Sequence, residues 1–368
     1  MLAEPEEFER FTLRREDYSL SEEQLALKDS VARLVAEHAP AARVRAVESA
    51  PPWFDHDLWR RLRDLGIARL GVPPPDGDGG GLVELAIAAE QVGRTGSATA
   101  LAETAAVGRM LARLGGGPAR ELLGHQLAGS KLLSLVPVAA TDQGCELVPC
   151  GTVADSVIAL AGGRLVAIDA AARGAAAANL GSAPLAWWHL ETRGATTLAD
   201  GPGARALFAR MRDEWRLLVA AGAVGIAQTA VDAAVCYAKQ RHAFGLPIGG
   251  YQAVSHPLVD MYIAVTAARR LVHKAAWFAQ FEPAARPGLA LAAISFATSS
   301  AVSATSAAVH TMGGLGVTVE MDTQLWFRRA KGWAVLAGDT NRELSDRFTP
   351  GCPAGHPGAR GQQAGAFA

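Results

Sequence analysis

Cysteine is scarce in this sequence. The 368 residues contain four, Cys145, Cys150, Cys236 and Cys352. None has metal spacing, and no histidine stands near Cys145 or Cys150, so a structural zinc site is not expected. A reducing compartment suits such a chain. Excess charge of one sign is also missing. Lys and Arg number 35 against 36 for Asp and Glu, a balance that draws neither nucleic acid nor an anionic membrane. No basic, aromatic platform for single strands stands out. The N-terminus MLAEPEEFERF is acidic and lacks the apolar core of a signal peptide. Long apolar runs are absent too. The longest, LLVAAGAVGIA from Leu217 to Ala227, stops at Gln228, far short of a membrane span. There is no internal repeat. The expectation is a soluble, cytoplasmic protein without a metal site.

What is present is ample apolar material, half of all residues, in a chain long enough for two or three units. Ser21 and Gln24 have the spacing of a capping box, and Leu27, Val31, Leu34 and Val35 follow at helical intervals. Phe54, Leu58, Trp59 and Leu65 predict a second helix, closed by Gly66. After the breaker-rich loop Pro73 to Gly81, helices are predicted over Leu82–Val92 and Ala98–Leu114, the latter ended by Gly115 to Pro118. The pattern then changes. KLLSLVPVA, CELVPCG, SVIALAGGRLVAIDA and WWHLETRG are short apolar runs cut by Gly, Pro and Asp, and they read as strands. Helices resume after Gly203: Arg205–Gln240 as one long helix or two, Pro257–Phe281, Pro287–His310, and Thr323–Phe348 with a break near Gly338. The organisation is α+β. A helical domain spans residues 1–124, a small β domain 125–203 and a helical bundle 204–349, with a Gly/Pro/Ala-rich flexible tail over 350–368.

Two segments carry chemistry. RHAFGLPIGGYQ, Arg241 to Gln252, joins a guanidinium, an aromatic ring, three glycines, a proline and an amide within twelve residues. That set suits the grip on an extended phosphorylated cofactor. HTMGGLG, His310 to Gly316, offers glycines through which backbone amides approach a phosphate. Each residue also has a plainer use. Arg241 could end a helix, Phe244 could fill the core, and Gly245 with Pro247 could form a turn.

The order of domains and the motifs together resemble the acyl-CoA dehydrogenase family over about residues 20 to 348. GVPPPDGDGG with EQVGR (Glu90 to Arg94) is similar to that family's N-terminal loop and helix, RHAFGLPIGGYQ to its RxxFGxPIxxxQ segment, and HTMGGLGVTVE with FRRAK to its QxxGGxG and RDAK segments. The resemblance implies an N-terminal all-α domain, a small middle β domain and a C-terminal four-helix bundle. It implies FAD, and α,β-desaturation of an acyl-CoA thioester. Arg241 would pair with the pyrophosphate of a neighbouring subunit's FAD, Phe244 would pack beside its adenine end, and Gln252 would hydrogen-bond the same cofactor. Gly313, Gly314 and Gly316 would let backbone approach the dinucleotide, and His310 stands where the family usually has Gln.

The base that the reaction needs is not where the family keeps it. Reading on from Arg328-Arg329-Ala330-Lys331 puts Ala337 at the usual glutamate. The other family position, ahead of Arg216, holds Trp215. Glu214 reads as a solvated helix carboxylate and Asp339 as a cap for Thr340-Asn341. The strand and loop that bind the flavin ring in the family leave only a faint echo in Thr141 and Asp142. The chain therefore resembles the degenerate subunit of actinobacterial heterotetrameric steroid-CoA dehydrogenases. No catalytic residue is assigned to it, and a catalytic partner in an α2β2 assembly would supply the base. Two other arrangements stay open: a self-sufficient homotetrameric acyl-CoA or acyl-ACP dehydrogenase using Glu214 or Asp339, and a non-redox acyl-binding or structural homologue.

Overall fold

A computed structural model describes residues 19–138, 144–190, 194–286 and 288–348. The echo at Thr141-Asp142, Cys352 and the tail lie outside the described residues.

Among the described residues six helices come first: α1 (Glu22–His38), α2 (Ala41–Glu48), α3 (His56–Asp64), α4 (Leu82–Gly93), α5 (Leu101–Leu114) and α6 (Gly117–Ala128). The capping box at α1 forms as its spacing predicts: the Gln24 amide N–H donates to Ser21 Oγ at 3.2 Å, and the Ser21 N–H donates to Gln24 Oε1 at 3.1 Å. Helices α2 and α6 were not anticipated. The glycine-proline run after α5 does end that helix, with Gly115 at φ 71°. It then starts another, because Pro near a first turn gives up only an N–H that has no helical partner. Helical structure thus reaches Ala128 before the first strand.

The strands are β1 (Leu133–Leu135), β2 (Cys145–Val148), β3 (Ser156–Ala161), β4 (Arg164–Asp169), β5 (Arg173–Ala176), β6 (Ala186–His189) and β7 (Thr196–Ala199). They form two sheets, ordered β1-β3-β4-β7 and β2-β6-β5. Strand β3 is buried at every residue, being paired on both sides and covered on both faces. Trp188 is wholly buried within this unit, and its Nε1–H donates to the Gly151 carbonyl at 3.1 Å. A buried indole needs such a partner.

The bundle follows: α7 (Gly201–Gln240), a hairpin of β8 (His242–Ala243) and β9 (Leu246–Pro247), α8 (Gln252–Phe281), α9 (Leu289–Met312), α10 (Thr323–Leu336) and α11 (Thr340–Phe348). Helix α7 is continuous over 40 residues, about 60 Å long. Small residues let it pass close to α4. A Cβ on Gly93 would sit 2.2 Å from the Gly222 carbonyl oxygen, and one on Gly225 2.0 Å from that of Glu90. By length and hydropathy α7 and the segment Leu289–Val317 could each cross a membrane, which no continuous apolar run suggested. Their most apolar windows are 67% and 56% buried inside the protein, which is how core helices of a bundle behave. The break near Gly338 falls between α10 and α11, with Gly338 at φ 86°.

Candidate functional site

The hairpin β8–β9 turns through Phe244 and Gly245, at φ 50° and 86°. Two successive positive values are those of the type I′ turn that suits a two-residue hairpin. Gly245 adopts this freely. A bulky L-residue does so at a cost of about 1–2 kcal/mol. No packing among the described residues offsets that cost, because the Phe244 ring is 97% exposed; it is not core. The hairpin is stapled from below, where Tyr251 Oη–H donates to the Ala243 carbonyl at 2.9 Å and the Ile248 N–H to the Arg241 carbonyl at 2.8 Å. Arg241 is the C-terminal cap of α7. Its exposed guanidinium has no partner among the described residues. Gln252, also exposed, opens α8, whose N-cap Tyr251 supplies no side-chain cap. A free guanidinium, a bare aromatic ring, an amide and an uncapped helix start therefore sit on one short stretch facing outward.

His310 lies exposed in the last turn of α9. The three following glycines differ in what they need. Gly313 takes φ 63°, ψ −143°, a conformation that glycine reaches almost alone. Gly316 is buried, and a Cβ there would press 2.6 Å from the Val309 carbonyl oxygen. Gly314 is exposed and a Cβ there would meet nothing within 4 Å. The fold thus accounts for Gly313 and Gly316, and leaves Gly314 free of any internal requirement.

The near-miss carboxylates are both occupied. Glu214 is not solvated, as a helical carboxylate outside a site was expected to be, but 1% exposed. Arg109 Nε and Arg113 Nη1 donate to its Oε2 at 3.0 and 3.2 Å, and Arg113 Nη2 and Arg210 Nε to its Oε1 at 2.5 and 3.2 Å. Burial pushes its pKa up, yet the guanidiniums outweigh burial and hold it below the ordinary value. A carboxylate so held is a poor proton acceptor. Burial in turn lowers the pKa of Arg113, which shares one anion with two other cations. Asp339 Oδ1 accepts the Arg342 N–H at 3.1 Å, the capping role read from its position. Ala337 and Trp215 are both buried, so neither family position holds a carboxylate.

Between α4, α5, the β unit, α7 and α10 lies a cavity of about 90 Å³, small beside the 300–1,000 Å³ of a typical cofactor pocket. Glu103 lines it, and its Oε1 accepts from the buried Trp215 Nε1–H at 3.0 Å. Burial raises the Glu103 pKa and pushes the Cys150 thiol well up, helped by the nearby Glu103 carboxyl. Arg329, also buried, lines the same cavity. Sequence reading missed Glu103 and Arg329. Glu103 sits in an ordinary helical run, and Arg329 was visible only as one letter of FRRAK.

Residues 21–121 match the acyl-CoA dehydrogenase N-terminal domain and residues 201–346 its C-terminal domain. The chain belongs to the acyl-CoA dehydrogenase family. "Acyl-CoA dehydrogenase IpdE2" of Mycolicibacterium smegmatis is 33% identical over 336 residues, 88% of this chain and 97% of the relative. The homologue of that name in Mycobacterium tuberculosis is 32% identical over 89% and 96%. Among solved structures, a variant of the Tcur3481-Tcur3483 steroid ACAD superposes with a TM-score of 0.80 at 27% identity, covering 90% of this chain and 98% of the other. The ChsE4-ChsE5 complex from Mycobacterium tuberculosis shares the fold at TM-score 0.79 and 23% identity, over 90% and 98%. The order of helical domain, small mixed β domain and helical bundle is that of the family, as its resemblance implied.

Proposed function

We propose that this chain is the degenerate subunit of an FAD-dependent acyl-CoA dehydrogenase. It completes the cofactor site of a catalytic partner in an α2β2 assembly that desaturates an acyl-CoA thioester between Cα and Cβ. The reading is carried by the tip of the β8–β9 hairpin, where Phe244 holds a costly backbone conformation to present a bare ring beside the guanidinium of Arg241, which has no partner among the described residues. Strain that no internal contact offsets points to an external ligand. In this reading Arg241 pairs with the FAD pyrophosphate, Phe244 packs at its adenine end and Gln252 hydrogen-bonds it. The backbone at Gly313, Gly314 and Gly316 approaches the same dinucleotide, with His310 donating in place of Gln. FAD bound to the assembly supplies hydride acceptance. This chain supplies grip, while the partner supplies the base, the flavin-ring contacts and most of the acyl-CoA pocket.

One fact supports the division of labour. Neither family base position holds a carboxylate, since Ala337 and Trp215 occupy them. Similarity to a steroid ACAD whose name pairs two components, at 27% identity, supports a steroid-CoA thioester as substrate and a heteromeric partner. The compact fold, with its longest apolar helices packed inside, supports a cytoplasmic location. FAD titration of the assembly with native chain and with Arg241→Ala tests the reading. Losing a charge-assisted contact of about 1.5–3 kcal/mol should weaken retention by roughly 10- to 100-fold. Unchanged retention removes the clamp from this chain. Flavin bleaching by an acyl-CoA with this chain alone would instead establish a self-sufficient enzyme.

A further inference from the structure

Helix α2 has eight residues, too few to hold a helix in water unaided. Three of its side chains tie it to distant parts of the chain. Arg43 Nε and Nη2 donate to Asp55 Oδ2 and Oδ1 at 3.0 and 2.8 Å. Glu48 accepts from Arg328 Nη2 at 2.9 and 3.1 Å. Arg45 reaches the turn between the glycine cluster and α10, 277 positions further on. Its Nε donates to Asp322 Oδ1 at 3.2 Å, its Nη2 donates to the same oxygen, and its Nη1 donates to the Val319 carbonyl. One rigid guanidinium therefore holds both ends of that turn.

Asp322 is the residue that opens α10. An aspartate in that place ordinarily accepts from the amides of its own first turn. Asp322 makes no such cap. Its carboxylate is given to Arg45, so the helix forgoes a local contact for a tertiary one. The next residue, Thr323, is buried, and its Oγ1–H donates to the Gly316 carbonyl at 2.8 Å. A chain of contacts thus runs from Arg45 through Asp322 and Thr323 into the backbone of the glycine cluster.

We propose that Arg45 is a positioning residue for the cofactor surface. It fixes the turn over residues 319–322 and, through it, the backbone over residues 313–316. That backbone is the stretch which the proposed function sets against FAD, and the proposal rests on that reading. Helix α2 is then the device by which the N-terminal domain sets a loop of the bundle. The Arg45–Asp322 pair is partly exposed, and such pairs add little to global stability. The effect of losing it is local.

Two readouts test the proposal. Hydrogen exchange of the chain alone reads the loop without FAD: in Arg45→Ala the amides of residues 313–318 should exchange about ten-fold faster, the cost of one freed backbone residue. FAD titration of the assembly reads the consequence. Ordering that residue again on binding should weaken retention by about ten-fold, while the FAD-free chain unfolds within about 3 °C of native. Asp322→Ala removes the contact from the other side without losing a helix cap, and decides the matter if Arg45→Ala does not fold. The double variant should be no worse than Arg45→Ala, because both changes break one contact. Arg69→Ala, which breaks a partly exposed ion pair with Asp78, should move neither readout. Unchanged exchange over residues 313–318, unchanged retention in a folded variant, or an equal loss with Arg69→Ala overturns the proposal. Arg241→Ala, titrated alongside, separates the two readings. If it weakens retention and Arg45→Ala does not, the positioning role falls and the clamp stands; if neither does, both fall.

Discussion

At the scale of single residues, Glu214 shows how much of a site depends on residues far away in sequence. It lies beside a family base position and reads locally as a surface carboxylate. Its partners Arg109 and Arg113 sit about a hundred positions earlier, where no local pattern announces them. The arrangement makes a stability prediction. Glu214→Gln leaves three guanidiniums around a neutral amide, and breaking a buried ion-pair cluster by removing one partner costs about 3–5 kcal/mol. Urea denaturation at neutral pH should show that loss. The gap has a pH dependence with a definite sign. The folded pKa of Glu214 lies below the ordinary 4.5, so its stabilisation is complete above that value and shrinks as pH falls through the lowered folded one. Stability curves of native and Glu214→Gln protein should run parallel near neutrality and converge in acid. A gap that is absent at neutral pH, or that widens in acid, would contradict the assignment. Because Glu214 is tied in this way, acyl-CoA turnover by the assembly should not depend on it as a base.

At the scale of elements, the long helices were legible in the sequence and their short neighbours were not. Ser21 and Gln24 announce α1 because a capping box is local chemistry. The run from Arg205 to Gln240 gave length but not continuity, since alanine and glycine suit a helix interior only when another helix packs against it. Helix α6 was hidden because a glycine-proline run both ends α5 and begins the next helix. The motif segments were found by spacing, and the outward display of Phe244 required the hairpin, a tertiary fact. The glycines after α9 separate structure from ligand in a testable way. Gly316→Ala should destabilise the fold by about 1–3 kcal/mol, since the added methyl meets the Val309 carbonyl rather than a movable side chain. Gly314→Ala meets nothing and should leave thermal unfolding within about 0.5 kcal/mol of native. If the backbone there approaches FAD, the same substitution should weaken FAD retention by the assembly. A Gly314→Ala protein that unfolds early, or one that retains FAD as tightly as native, would remove Gly314 from the cofactor surface.

At the scale of the whole molecule, apolar surface is left uncovered on the bundle. Val259, Tyr262 and Ile263 recur at helical spacing along α8 at 54–59% exposure, while Leu258, Met261 and Val265 on the opposite side are buried. Val317 and Val319, just beyond the glycine cluster, are 65% and 74% exposed. Monomeric proteins seldom leave such stretches bare. The segments that carry them adjoin the FAD-directed residues, as they must if the nucleotide lies at a junction between subunits. Burying this surface and binding FAD would then be linked, each stabilising the other by mass action. The linkage sets the composition of the assembly. Under the proposed function each chain of this kind, 38.3 kDa, lends one outward clamp, and each catalytic partner holds the flavin ring. Coexpression should therefore yield a complex with two chains of each kind and two FAD, read from native mass and flavin absorbance per protein. FAD should raise its unfolding temperature, and the gain should shrink with Arg241→Ala. Four flavins per tetramer, or a tetramer of this chain alone that reduces FAD with an acyl-CoA, would show that the chain carries its own reaction centre.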